Sequence, residues 1–240
     1  MHVMKLGCRP WRKISGMVAL ALLAATLPAR ADASDIEGVW MPDRYSEQLT
    51  TVDGATPPLT ADAAKLYRER IAAHGDRDRQ YDRTLWCAGP GMPRIMFMPY
   101  PFEIREDAGF VGFIYQWYRW HRMVDMSGQA PDTALPVTMG YPTGHWEGGT
   151  LVVRTIGTSD ETVLDSMGLP HSEDMVLTER LKLLPSGHLE ARFRIEDGAY
   201  YSKPWEAVMT YHRVSPDMME DDVCPDRIAQ GMPAVRSILP

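Results

Sequence analysis

The sequence predicts a mainly β protein: an antiparallel barrel or strongly curved sheet with one N-terminal helix and long loops. Three observations predict it. Apolar and polar residues alternate over several short segments, as in residues 172–184 and 189–197, and a period of two belongs to strands with one buried face. Turn signals such as Gly148-Gly149 and Pro185-Ser186-Gly187 punctuate the chain. Helical crossovers between strands are missing, which argues against a parallel α/β sheet.

A leader precedes the fold. Arg9, Arg12 and Lys13 lead into an apolar run at 16–27 that is too short to span a bilayer. Pro28-Ala29-Arg30-Ala31-Asp32-Ala33 then offers small residues for cleavage after Ala31 or Ala33. Residues 1–31 are expected to be a secretory signal and 32–240 a single domain. The remaining chain of about 209 residues is long enough for one sizeable core. Removing Lys5, Arg9, Arg12, Lys13 and Arg30 takes the formal net charge from −7 to −12. An exported protein this acidic is a poor partner for nucleic acid or an anionic membrane surface, and no stable membrane insertion is expected after cleavage. In the periplasm or outside the cell, Cys87 and Cys224 are expected to form a disulfide. Two cysteines this far apart carry no zinc-site spacing.

The elements follow in order. Residues 36–40 open the domain as a short strand. Thr60 reads as the N-cap of a helix ending near Gly75, with Ala63, Leu66, Tyr67, Ile71 and His74 at helical spacing. His74 reads as an ordinary last-turn residue, and the charge run at 76–83 as a solvated loop. Residues 94–98, 102–106 and 110–126 read as strands. In the third, alternation places Val111, Phe113, Tyr115, Trp117, Arg119 and His121 on one face. A Pro/Gly-rich connection over 128–142 is expected at a barrel mouth. A hairpin turning at Gly148-Gly149 follows. In 172–184 the odd positions are the apolar face, so Glu173 and Glu179 are expected to point inward. Residues 189–197 and 203–213 complete eight or nine strands.

The acid/base candidates lie at 160–173. His171 and Glu173 are two apart, so an extended chain would project an imidazole and a carboxylate to one side. Asp160 and Asp165 precede them as further carboxylates. Tyr115, Trp120, His121, Trp146, Glu179, Tyr201, Lys203 and Trp205 are candidates to line a ligand cavity, with Tyr201, Lys203 and Trp205 sharing a face. A metal held by His145, His171 and Glu173 has no tight ligand cluster behind it, so no metal is assigned. Gly-x-Ser-x-Gly, Gly-x-Gly-x-x-Gly and Gly-Lys-Ser/Thr motifs are absent, so no cofactor is expected.

Pro90-Gly91-Met92-Pro93-Arg94, Pro99-Tyr100-Pro101-Phe102-Glu103-Ile104, residues 146–153 (WEGGTLVV), Leu169-Pro170-His171-Ser172-Glu173 and Tyr201-Ser202-Lys203-Pro204-Trp205 together carry a resemblance. The chain resembles a large family of exported, mostly uncharacterised bacterial proteins with a lipocalin- or calycin-like barrel. The likeness covers nearly all of the mature chain. Gly38-x-Trp40 fits it, as the opening of a lipocalin-like first strand. Gly149 and Arg154 depart from it, where the family more often has acidic residues. The resemblance implies the barrel and the export, and it brings no family-wide reaction.

Two functional readings stand at this point. One is a cofactor-independent lyase or isomerase acting on a small apolar, aromatic or polycyclic molecule, with His171 as acid or base and Glu173 orienting it. The other is a non-catalytic periplasmic binding protein for such a hydrophobic ligand; a structural envelope protein ranks third. Geometry discriminates between them. A His171–Glu173 hydrogen bond inside a pocket favours the enzyme, and a position on the rim favours the carrier.

Overall fold

The computed structural model describes residues 36–76, 79–131 and 135–235. The leader expected at 1–31 lies outside them. Nine strands form one closed barrel in sequence order: β1 (Gly38–Pro42), β2 (Phe102–Asp107), β3 (Phe110–Tyr115), β4 (His121–Asp125), β5 (Tyr141–Glu147), β6 (Thr150–Ile156), β7 (Val176–Leu183), β8 (Leu189–Glu196) and β9 (Trp205–Val214), with β9 pairing back on β1. The fold is mainly β, as expected. Among the described residues, no helix is long and apolar enough to cross a membrane.

A ring of nine strands cannot alternate direction at every step. One junction must be parallel, and it is β4–β5, joined through Asp125 and Thr143. The other eight junctions are antiparallel. An antiparallel arrangement throughout is thereby corrected. A parallel neighbour needs a long crossover, and residues 126–140 supply it.

The β1–β9 seam explains the glycine before Trp40. The Arg213 guanidinium lies 4.4 Å from the centre of the Trp40 ring, and the Trp40 indole N–H donates to the Ile36 carbonyl at 2.8 Å. A Cβ on Gly38 would collide with Arg213, and Gly38 also has φ of +125°. A glycine is needed on both counts.

Helix α1 (Ala61–Ala72) begins where expected, with the Thr60 hydroxyl accepting from the Ala63 amide, and it buries Ala63 and Tyr67. The expected disulfide joins Cys87 to Cys224, at the first residue of helix α3 (Cys224–Ala229).

Two expected strands turn out differently. Residues 94–98 form not a strand but the short helix α2 (Arg94–Phe97), buried on all sides. The Ile95 amide donates to the Gly91 carbonyl and the Met96 amide to the Pro93 carbonyl. A helix apolar all round belongs in a core, and this one plugs the barrel. Tyr211 of β9 donates to the Met96 carbonyl at 2.9 Å, and the rings of Phe97 and Phe193 (β8) lie 4.8 Å apart. Gly91 has φ of +77°, and a Cβ there would sit 2.5 Å from the Thr162 hydroxyl.

The strand expected over 110–126 is broken into β3 and β4 by a 3-10 turn at Trp117–Arg119, where Tyr118 and Arg119 have positive φ. The break reverses the parity. His121 is exposed on the outside, and Arg122 and Val124 point inward. Inside, Arg122 meets Glu179 of β7, whose inward face follows the expected odd positions. The two side chains are fully buried and paired through both guanidinium NH2 groups.

A buried ion pair is barely stabilising as a pair, but removing one partner strands a charge in a low dielectric and costs about 3–5 kcal/mol. Arg122→Met or Glu179→Leu alone should lower stability to urea by that order. The double variant should be more stable than either single one. Simply additive losses would contradict this account.

Candidate functional site

The structure separates most of the residues singled out at 160–173. The Ser172 amide and hydroxyl both bond Asp197, at 2.7 and 2.9 Å. Residues 171–175 are therefore a turn, and β7 starts at Val176. Glu173 is exposed in this turn rather than inward. The parity of the strand does not reach back to it. His171 is buried, 2% exposed. Its Nδ1–H donates to the Ser172 carbonyl at 3.0 Å, and Thr162 bonds its Nε2 at 2.8 Å. Burial lowers the His171 pKa, with the Ser172 carbonyl and nearby Asp197 and Asp160 opposing, so the ring is a neutral structural donor.

Asp165 is likewise buried and fully engaged. It accepts from the Tyr67 hydroxyl at 2.6 Å and from the Leu49, Met167 and Leu169 amides at 2.9–3.1 Å. Burial raises its pKa, and the donors pull the other way without cancelling the rise. Its four bonds fasten α1, the loop at 49 and the loop at 165–169 together. Asp160 is exposed.

The ligand-lining candidates scatter too. Tyr115 and Glu179 are inside the barrel. Trp120 and Trp146 are half-buried against the core. Tyr201 is buried and donates to the Pro170 carbonyl at 2.8 Å. Lys203 is exposed because β9 begins only at Trp205, so Tyr201, Lys203 and Trp205 do not share a face. Lys203 and Trp205 border an outer cleft of about 680 Å³. Among the described residues, no group of three or more His, Cys, Asp or Glu side chains is placed to hold a metal ion.

A different cleft combines volume, charge and an apolar wall. It measures about 590 Å³ and lies between the end of α1, the loop at 45–47, the start of α2 and the tail after α3. At its floor Arg94 donates to both Asp82 oxygens, at 2.7 and 3.0 Å, and to the Thr84 hydroxyl at 3.2 Å. Burial opposes ionisation of Asp82, but the Arg94 and Arg79 guanidiniums outweigh it and hold its pKa below the ordinary value. Arg79 reaches Asp82 at 3.4 Å, and the His74 ring lies 3.7 Å from Glu47. Ile228, Met232 and Val235 supply apolar surface opposite.

Three nitrogens on this wall have no partner among the described residues: His74 Nδ1, Arg79 Nε and Arg94 Nε. Buried donors are nearly always paired, so three unpaired ones around one cleft mark a place for an acceptor. The cleft is roomy enough for a small ligand.

The tail is held in place over the cleft. Cys224 is bridged to Cys87, Arg227 bonds the carbonyls of Pro233 and Ala234, and the Trp117 indole donates to the Ala234 carbonyl at 3.1 Å.

Sequence reasoning missed this site. It placed His74 in an ordinary last turn and Asp82 in a solvated run. The short spacing from Asp82 to Arg94 was the available signal, and mixed charges are too common in loops for it to stand out.

No protein-family model matches the chain, and no curated protein sequence matches it. Among solved structures, the REP1-NXSQ fatty acid transporter aligns at 14% identity and a TM-score of 0.35, over 76% of this chain and 98% of its own. A point mutant of that transporter aligns at 13% identity and the same TM-score, over 75% and 99%.

His171 gives a stability test. Its folded pKa lies below the unfolded value of 6.5, so its contribution is present above pH 6.5 and is lost as pH falls through the folded value. The unfolding free energy should therefore drop below pH 6.5, by at most about 1.4 kcal/mol per pH unit from this group. His171→Asn should flatten that limb. An unchanged acid limb in the variant would contradict the assignment.

Proposed function

We propose that this is an exported, non-catalytic binding protein for a small, largely apolar or aromatic molecule that carries an anionic group. The ligand sits in the cleft beneath the tail. The observation that carries this reading is the cleft itself, where partnerless nitrogens of His74, Arg79 and Arg94 face an apolar wall. A carboxylate or similar acceptor would complete those donors, and the ring system would bury Ile228 and Met232.

Export is supported by the apolar leader with its small-residue cleavage site and by the Cys87–Cys224 bridge, since structural disulfides persist in oxidising compartments. The Gly38-x-Trp40 seam clasped by Arg213 supports placing the barrel with lipocalin- or calycin-like proteins. The lyase or isomerase reading ranks second, because His171 and Glu173 do not form the acid/base pair it needs.

The test compares two ligands of one shape. Isothermal titration of the mature protein should show 1-naphthoate binding more tightly than 1-naphthalenemethanol. Losing a charge-assisted hydrogen bond costs about 1.5–3 kcal/mol, or roughly 10- to 100-fold in affinity. Arg79→Met should therefore weaken naphthoate by that factor and leave the alcohol nearly unchanged. Equal affinity for acid and alcohol would overturn the proposal.

A further inference from the structure

A second polar cluster lies inside the barrel, behind the plug, and its hydrogen bonding is poor for its burial. The Tyr115 hydroxyl, 3% exposed, has the thioether sulfurs of Met96 and Met92 before it, at 3.3 and 4.0 Å. One Arg122 NH2 group faces the Met92 sulfur at 3.6 Å. Arg122 Nε has no partner among the described residues. A thioether is a weak acceptor, and a guanidinium and a phenol are strong donors. Elsewhere around Arg122 the acceptors are good: the Glu179 carboxylate and, at 3.0 Å, the Thr155 hydroxyl. The mismatch is confined to the side occupied by the plug.

The plug enters through Gly89-Pro90-Gly91 and leaves through Pro99 and Pro101. Its backbone is tied to the barrel side chains above by the Tyr211 bond to the Met96 carbonyl.

We propose that Met92 and Met96 occupy a ligand subsite within the barrel. It would take a small apolar molecule with one strong acceptor oxygen, a ketone or aldehyde carbonyl, placed between Tyr115 and Arg122. The Glu179 carboxylate already neutralises Arg122, so a neutral acceptor fits this subsite better than a second anion. This subsite is separate from the outer cleft and does not depend on the cleft binding anything.

The probes are acetophenone and isopropylbenzene, which share a shape and differ in the carbonyl. In the native mature chain with 13C-methyl methionine, acetophenone should shift the Met92 and Met96 methyl signals saturably, with at least tenfold higher affinity than isopropylbenzene. Tyr115→Phe should remove that preference, and Arg79→Met, in the outer cleft, should leave it intact. Met96→Ala, shown to be folded by its methyl spectrum, should bind the ketone more tightly still. Absent methyl shifts, equal affinity for the two probes, or a preference that survives Tyr115→Phe would overturn the proposal. Failure of naphthoate to bind bears on the outer cleft alone.

Discussion

The structure depends on the filling of the barrel interior by a segment that is not a strand. Eight strands enclose a space that inward side chains can just fill, and nine enclose more. Residues 89–101 supply the difference, with Met92, Ile95, Met96 and Phe97 buried among the inward faces of β3, β4, β8 and β9. Packing of this kind is worth roughly 1.5–3 kcal/mol per large apolar side chain. The plug also sets where a ligand can go. Its first residue, Arg94, turns outward to Asp82 and forms the floor of the outer cleft, while its interior face covers Tyr115 and Arg122.

Much of the fold was legible because strand alternation is a direct imprint of one buried face. The Gly148-Gly149 hairpin, the odd face of β7, the alternation of β8 and the N-cap at Thr60 all follow from local rules. The failures have local causes as well. Positive φ at Tyr118 and Arg119 reversed the parity of an aromatic run, which hid Arg122 and wrongly turned His121 inward. The bonds from Ser172 to Asp197, 25 residues away, bent the chain before β7 and left Glu173 outside. Alternation within a segment says nothing about where the segment stops being extended. Segment 94–98 looked like a strand because a short apolar run reads the same in a buried helix.

The candidate site was less legible than the fold. It is assembled from the end of α1, a charge run, the first residue of the plug and the C-terminal tail, and the Cys87–Cys224 bridge brings that tail across from the far end of the sequence. Each contributor is unremarkable in its own window. What defines the site is the set of donors left over after Asp82, Thr84 and the nearby carbonyls have been satisfied, a property of tertiary contacts alone. Asp165 and His171 sit on the opposite side of this distinction. Both are buried and look chemically rich in sequence, yet their hydrogen bonds are spoken for within the fold.

The most direct test of the cleft as the binding site is a crystal structure of the mature protein grown with 1-naphthoate. The carboxylate should lie within hydrogen-bonding distance of the Arg79 guanidinium or the His74 ring, with the naphthalene against Met232 and Ile228. Naphthoate bound elsewhere on the protein, or the same cleft occupied with its carboxylate turned to solvent, would contradict the account.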